Sequence, residues 1–131
     1  MNIILASSSP IRKQILEDSG VIFEVVVKPI DEASIKSSMI QEGASKLSIV
    51  STLAELKSIK VSSETPVLVI GADQIMVFDG AIYDKPKTIE EARERLMAIR
   101  NQTHYLMGSV VVSEGGVSVW RHSSKVELKV R

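Results

Sequence analysis

The order of sequence patterns predicts an α/β protein built on a mixed sheet. Three observations carry that expectation. Short apolar runs at residues 2–6 (NIILA), 23–27 (FEVVV) and 67–70 (VLVI) read as buried strands. Capped stretches of helical period stand between them. The second half carries turn signals between strand-like runs, at Asp79-Gly80 and at Glu114-Gly115-Gly116. The resulting order is β-α-β-α-α-β-β-β-α-β-β, without internal repeats or linkers.

The first strand runs straight into Ser7-Ser8-Ser9-Pro10 and then IRKQILEDSG. Ser9 suits a helix N-cap, Pro10 the first helical position and Gly20 the stop. Free backbone N–H groups and serine hydroxyls at a helix start make a natural phosphate cradle. Arg12 and Lys13 lie in the first turn, where the helix dipole disfavours cations. Arg12 makes more sense there beside a bound anion; the alternative is a capped surface helix with incidental charges. After the second strand, Pro29-Ile30-Asp31-Glu32 brings two adjacent carboxylates. A helix over 34–42 is ended by Gly43. Ser45 then caps KLSIVSTLAELKSIKV, whose apolar positions Leu47, Val50, Leu53, Ala54 and Val61 follow a helical period. Lys57 on this helix, taken alone, reads as solvated.

Residues 67–86 form the centre of the chain. The apolar run 67–70 meets Gly71-Ala72-Asp73, so Asp73 falls where a buried strand is expected to end. A carboxylate there is costly unless it has a metal or a cation as partner. A hairpin through Asp79-Gly80 follows, and Lys85-Pro86 returns a cation toward Asp73. Strand ends in open α/β sheets are where ligands usually bind, so Asp73 and Lys85 are candidates to line one cleft. The alternative is a plain hairpin with a surface Asp and Lys. Thr88 and Glu91 form a capping box for the helix IEEARERLMAIR. A turn at 101–104, a strand at 105–112 and an alternating arm at 117–130 complete the chain. His104 and His122 are too far apart to read as a metal pair, and each reads as structural. Trp120 reads as packed rather than exposed for stacking.

Composition excludes some function classes. A chain of 131 residues suits one domain. Lys+Arg and Asp+Glu both total 16, which argues against a general nucleic-acid or membrane surface but allows a local basic pocket. With no Cys, thiolate metal sites, disulfides and Cys nucleophiles are ruled out. No apolar run approaches ~18 residues, and the start lacks a signal-peptide pattern, so a cytoplasmic location is expected.

Taken together, LASSSPIRK, PIDE, LAELKSIKV, VIGADQIMVFDG with DKP, and TIEEA followed by TH resemble the Maf family of nucleoside triphosphate pyrophosphatases, also called septum formation inhibitor-like proteins. The resemblance covers the whole chain in order. It implies a long central mixed sheet flanked by helices, with two lobes around a cleft, much as in inosine triphosphate pyrophosphatases. It also implies cleavage between the α and β phosphates of a nucleotide, a divalent cation, usually Mg²⁺, and a homodimer. Carried over by position, Ser7, Ser9 and Arg12 match the phosphate-binding opening and Glu32 the acidic residue after the second strand. Lys57 matches the lysine of the long helix, Asp73 the central acidic residue, and Lys85 the lysine before proline. Gln74, after Asp73, stands where members preferring modified guanine nucleotides often carry Gln. Ile11 replaces the first of two arginines usual in the opening motif. Family members are also longer, so residues 1–131 read as a single Maf-like domain incomplete at its C-terminus, which fits a chain stopping on a strand pattern at Arg131.

The chemistry expected from this set is hydrolysis of a nucleoside triphosphate to the monophosphate and pyrophosphate. Glu32 and Asp73 would hold Mg²⁺, which needs only one or two carboxylates besides phosphate oxygens. Asp73 would also orient or deprotonate water. Arg12, Lys57 and Lys85 would neutralise phosphate charge, and Ser7 and Ser9 would position phosphates. The rivals are a phosphatase releasing orthophosphate and a non-enzymatic regulator of cell division acting by nucleotide or protein binding.

Overall fold

The caps named above begin and end the helices much as predicted. The computed structural model describes residues 2–83 and 85–131. β1 (Ile3–Leu5) leads into α1 (Pro10–Asp18), whose Arg12 N–H donates to Ser9 Oγ at 3.4 Å. Then come β2 (Phe23–Val25), α2 (Glu32–Gln41), α3 (Lys46–Ser62), β3 (Leu68–Phe78), β4 (Ala81–Tyr83), α4 (Ile89–Ile99), β5 (Thr103–Glu114) and β6 (Val117–Lys129). Among the described residues these strands form one mixed sheet in the order β2-β1-β3-β5-β6, with β4 paired to β3. β1 lies parallel to β2 and β3, and the remaining pairs are antiparallel. The α/β mixed-sheet class is the observed one.

Both hairpin turns are two-residue turns with positive φ at each central residue. Asp79 and Gly80 have φ of 52° and 76°, and Gly115 and Gly116 have 60° and 83°. That geometry matches the twist of the flanking strands and explains why these residue pairs mark the turns.

α3 covers one face of the sheet. Its Ile49, Val50, Leu53, Ala54 and Val61 are buried, as are Val69, Ile75 and Val77 of β3 and Met107 and Val111 of β5. Leu47, expected on the buried stripe, is instead 37% exposed near the helix start, and Ile49 takes its place. Small residues line the contact. Ser58, Ser62 and Ser113 are fully buried, with Ser58 bonded to Ser113 and the Gly116 N–H donating to Ser62 Oγ at 2.9 Å. Buried hydroxyls with partners avoid the cost of an unmade hydrogen bond.

Three sequence expectations are corrected here. The run 67–78 does not break at Asp73: β3 is one continuous strand, because β5 pairs with it residue for residue from Val69 to Val77. α2 begins at Glu32 rather than Ser34. Asp31 is its N-cap, accepting from Ser34 Oγ at 2.8 Å and Ser34 N–H at 3.1 Å. Those bonds, the hydroxyl first, hold the Asp31 carboxyl below its ordinary value. Trp120 is not packed but 55% exposed. A β-bulge between Val112 and Ser113 inserts an extra residue into β6 and sets which of its residues meet α3. Arg121 reaches Ser51 and Glu55 on α3, so Trp120 and His122 fall on the opposite face. Among the described residues, no helix is long and apolar enough to cross a membrane.

Candidate active site

The sheet leaves a gap on one side of β3. β5 pairs with one edge of β3 over most of its length. The other edge is paired by β1 only at residues 68–70 and by β4 only at residues 76–78. Among the described residues, 71–75 have no strand partner on that side, and Asp73 is the middle one. β1 and β2 both end beside the gap. The chain leaves β1 toward α1 on one side and returns from β2 to β3 on the other, so the gap lies at a switch point of an open sheet.

α3 sends a lysine to Asp73 and ties it to α2. Lys57 of α3 places its ammonium 2.5 Å from Glu32 Oε1 and 3.1 Å from Asp73 Oδ1. Asp73 keeps 12% of its side chain exposed, so its charge is buried with the partner such a position requires. On the Ser7–Ser9 turn, Arg12 Nη1 donates to Ser7 Oγ at 2.9 Å, and the Ser9 N–H donates to the same oxygen at 3.3 Å. The turn and the first turn of α1 are thus locked together by short-range bonds. Arg12 is bonded back to the turn, and Lys57, read from sequence as solvated, is ion-paired instead. A cavity of about 180 Å³ opens beside them, lined by Arg12, Asp73, Gln74, Gly108, His122 and Ser124 among others.

The structure brings Glu32, Lys57 and Asp73 into one cluster and Ser7, Ser9 and Arg12 into a second. Arg12, Asp73 and Gln74 meet at the cavity. It does not bring Lys85 into contact with Asp73. Lys85 is exposed, two residues beyond the end of β4, and makes no ion pair among the described residues. Among the described residues, β4 pairs with β3 only as far as Met76, three residues short of Asp73. Asp84 of the DKP motif lies outside the described residues. His122, Ser124 and Gly108 carried no sequence signal as cavity residues; only the β5–β6 register places them.

Ile11, where the opening motif usually carries arginine, is 73% exposed and not part of the core. Ile11→Arg is therefore expected to leave the melting temperature unchanged and to tighten binding of inorganic tripolyphosphate a few-fold. Calorimetry on both proteins checks this, and an unchanged Kd would place this side chain away from the phosphates.

Ser7, Ser9 and Arg12 after β1, Glu32 at the start of α2 and Asp73 just past the parallel pairing of β3 stand where proteins of the open α/β class usually bind ligands. A family model described as Maf-like protein matches residues 2–131, and the chain belongs to that family. A nucleoside triphosphate pyrophosphatase from Caulobacter vibrioides is 41% identical over 129 residues, covering 98% of this chain and 65% of the relative. A 7-methyl-GTP pyrophosphatase from Brucella abortus is 35% identical over 132 residues, covering 100% of this chain and 66% of the relative. The chain thus spans about two thirds of the length of these curated relatives. Among solved structures, a HAM1 protein from Coxiella burnetii superposes with a TM-score of 0.59 at 13% identity, covering 97% of this chain and 71% of that one. At that identity the likeness is one of fold.

Proposed function

We propose that this protein hydrolyses a nucleoside triphosphate to the monophosphate and pyrophosphate. The observation that carries the reading is the Lys57 ammonium held between Glu32 and Asp73, beside the Arg12–Ser7 pair. A protein that only binds partners has no need of two carboxylates gathered on one cation at a sheet gap. The activity named for the Caulobacter vibrioides and Brucella abortus relatives supports the same reading.

The donor set also fits a divalent cation. Lys57 Nζ already stands as a cation that both carboxylates reach at once. Among the described residues no third acidic or histidine side chain joins them, which suits Mg²⁺, an ion that completes its shell with water and phosphate oxygens. Glu32 and Asp73 would hold it, and when bound it supplies charge neutralisation on the phosphate oxygens. The chain's own residues do the rest. Arg12 and the Ser7 and Ser9 donors fix the phosphate chain against the α1 N-terminus. Asp73 takes the proton from water as its oxygen bonds to the α phosphorus and the bond to the bridging oxygen breaks. Lys57, and Lys85 as the resemblance implies, offset the charge that collects on the departing pyrophosphate.

The test is product analysis. With Mg²⁺ and a panel of ordinary and modified nucleoside triphosphates, pyrophosphate is expected in equal amount with monophosphate. Release of orthophosphate instead would make the protein a phosphatase, and no turnover on any nucleotide would leave the binding-only alternative standing. A second prediction concerns Lys57. Lys57→Met leaves Glu32 and Asp73 facing each other without a cation, so the melting temperature is expected to fall in metal-free buffer. Added Mg²⁺ is then expected to raise it more in the variant than in the parent. A thermal shift series with and without MgCl₂ measures both.

A further inference from the structure

Trp120 and His122 lie two residues apart on the face of β6 turned away from α3. Their rings are nearly parallel, at 19°, with centroids 6.2 Å apart. Trp120 is 55% exposed, and His122 lines the cavity that Arg12 and Gln74 also line. Registers across the sheet put His122 opposite Val110, and Val110 opposite Ala72. Between His122 and the gap, the floor of that row is Val110 and Ala72. Gly108, in the next row, leaves it lower still: a Cβ built there would make only ordinary contacts, the nearest at 3.7 Å to Ser124 Oγ and the Asp73 carbonyl oxygen.

The dimensions suit one molecule lying across the sheet. Three strand spacings, roughly 14 Å, separate β6 from β1 and the Ser7 turn that follows it. One end of that span carries an arginine bonded to a serine hydroxyl. The other carries an exposed aromatic pair. Between them lie Gln74 and Ser124, polar side chains on the two banks of Gly108. An anionic end, a flat unsaturated end and hydrogen-bonding edges between them are the features of a nucleotide.

We propose that Trp120 and His122 form the nucleobase-recognition surface of the cleft and favour purines over pyrimidines; this rests on the triphosphate reading given above. Stacking on an aromatic surface grows with the area of the base, and it tolerates substituents on the ring. Gln74 and Ser124 read the base edge, while Arg12 holds the phosphates. The arrangement separates the two halves of the substrate. The phosphate end sets where cleavage occurs, and the aromatic end sets which base is accepted.

Trp120 is the only tryptophan in the chain, so its fluorescence reports on this surface directly. GTP is expected to quench it, UTP to quench it less at higher concentration, and inorganic tripolyphosphate to leave it unchanged while still competing with GTP. His122→Ala is expected to raise the Kd for GTP about ten-fold, the scale of one lost stacking contact, with the affinity for tripolyphosphate kept. Equal quenching by tripolyphosphate would overturn the proposal. So would GTP binding, measured by calorimetry, that neither quenches Trp120 nor weakens in His122→Ala. If GTP quenches Trp120 but no nucleotide is hydrolysed, the hydrolase reading fails and the base surface stands. If pyrophosphate is released with the same base preference in parent and His122→Ala, the reverse holds. Failure of GTP to bind at all would remove both.

Discussion

Asp73→Asn is expected to lower Mg²⁺-dependent pyrophosphate release by about 10²-fold or more, the scale for losing a positioned acid–base group. The same change is expected to leave the fold nearly as stable as before. Asn keeps the size of Asp. Lys57 retains Glu32 at 2.5 Å, so the substitution does not strand a buried ammonium without a partner. The β3–β5 ladder at this position uses main-chain atoms, which the change does not touch. Activity and stability should therefore separate. Pyrophosphate release and thermal unfolding on the same preparation measure the two. A variant that hydrolyses at the parent rate would remove Asp73 from the mechanism. A variant that unfolds at a much lower temperature would show that the carboxylate is needed for packing.

Gly71→Ala should do the opposite: damage the fold through a site with no chemistry of its own. A Cβ at residue 71 would lie 2.5 Å from the Ala54 carbonyl oxygen, 2.6 Å from Ser58 Cβ and 2.8 Å from the Ser58 nitrogen. Two of those atoms are helix backbone and cannot rotate away. α3 would have to lift from the sheet along a contact that includes fully buried Leu53, Ala54 and Ser58. Overpacking of this kind costs about 1–3 kcal/mol, and a rigid backbone contact puts the expected loss near the top of that range. For a chain of this size the melting temperature should drop by roughly 10 °C. Gly108→Ala is the control. Its Cβ would make only ordinary contacts at 3.7 Å, so stability should hold. Equal losses from the two substitutions would point to glycine flexibility rather than to the close approach of α3.

Gly71 and Asp73 stand two residues apart on one strand. Gly71 and Ala72 read as the end of a buried strand, with Asp73 as the carboxylate where it stops. Small residues do mark a change there, but the change is on the helix side. Gly71 admits α3, while the strand runs on to Phe78 because β5 supplies its partner. No local pattern reports that a partner strand more than thirty residues later will pair through an aspartate. The same limit explains Lys57. Its neighbours along α3 do not distinguish it from a solvated lysine; its meaning comes from Glu32 and Asp73, which arrive from other elements.

The sequence by itself determined the α/β class, the serine-capped start of α1, both tight hairpins and the helix caps at Ser45 and Thr88. Each of these rests on contacts within a few residues, where backbone sterics and local hydrogen bonds decide the outcome. The ordered motifs also marked Ser7, Ser9 and Arg12 after β1, Glu32 after β2 and Lys57 on α3. Only the tertiary structure decided that the gap exists, since it arises where β1 stops and β4 has not begun. It alone brought Lys57 onto two carboxylates. It alone turned Trp120 outward beside His122, through one extra residue in β6. In a strand of period two, a single inserted residue exchanges the buried and exposed faces, and only the pairing with β5 reveals where that insertion falls.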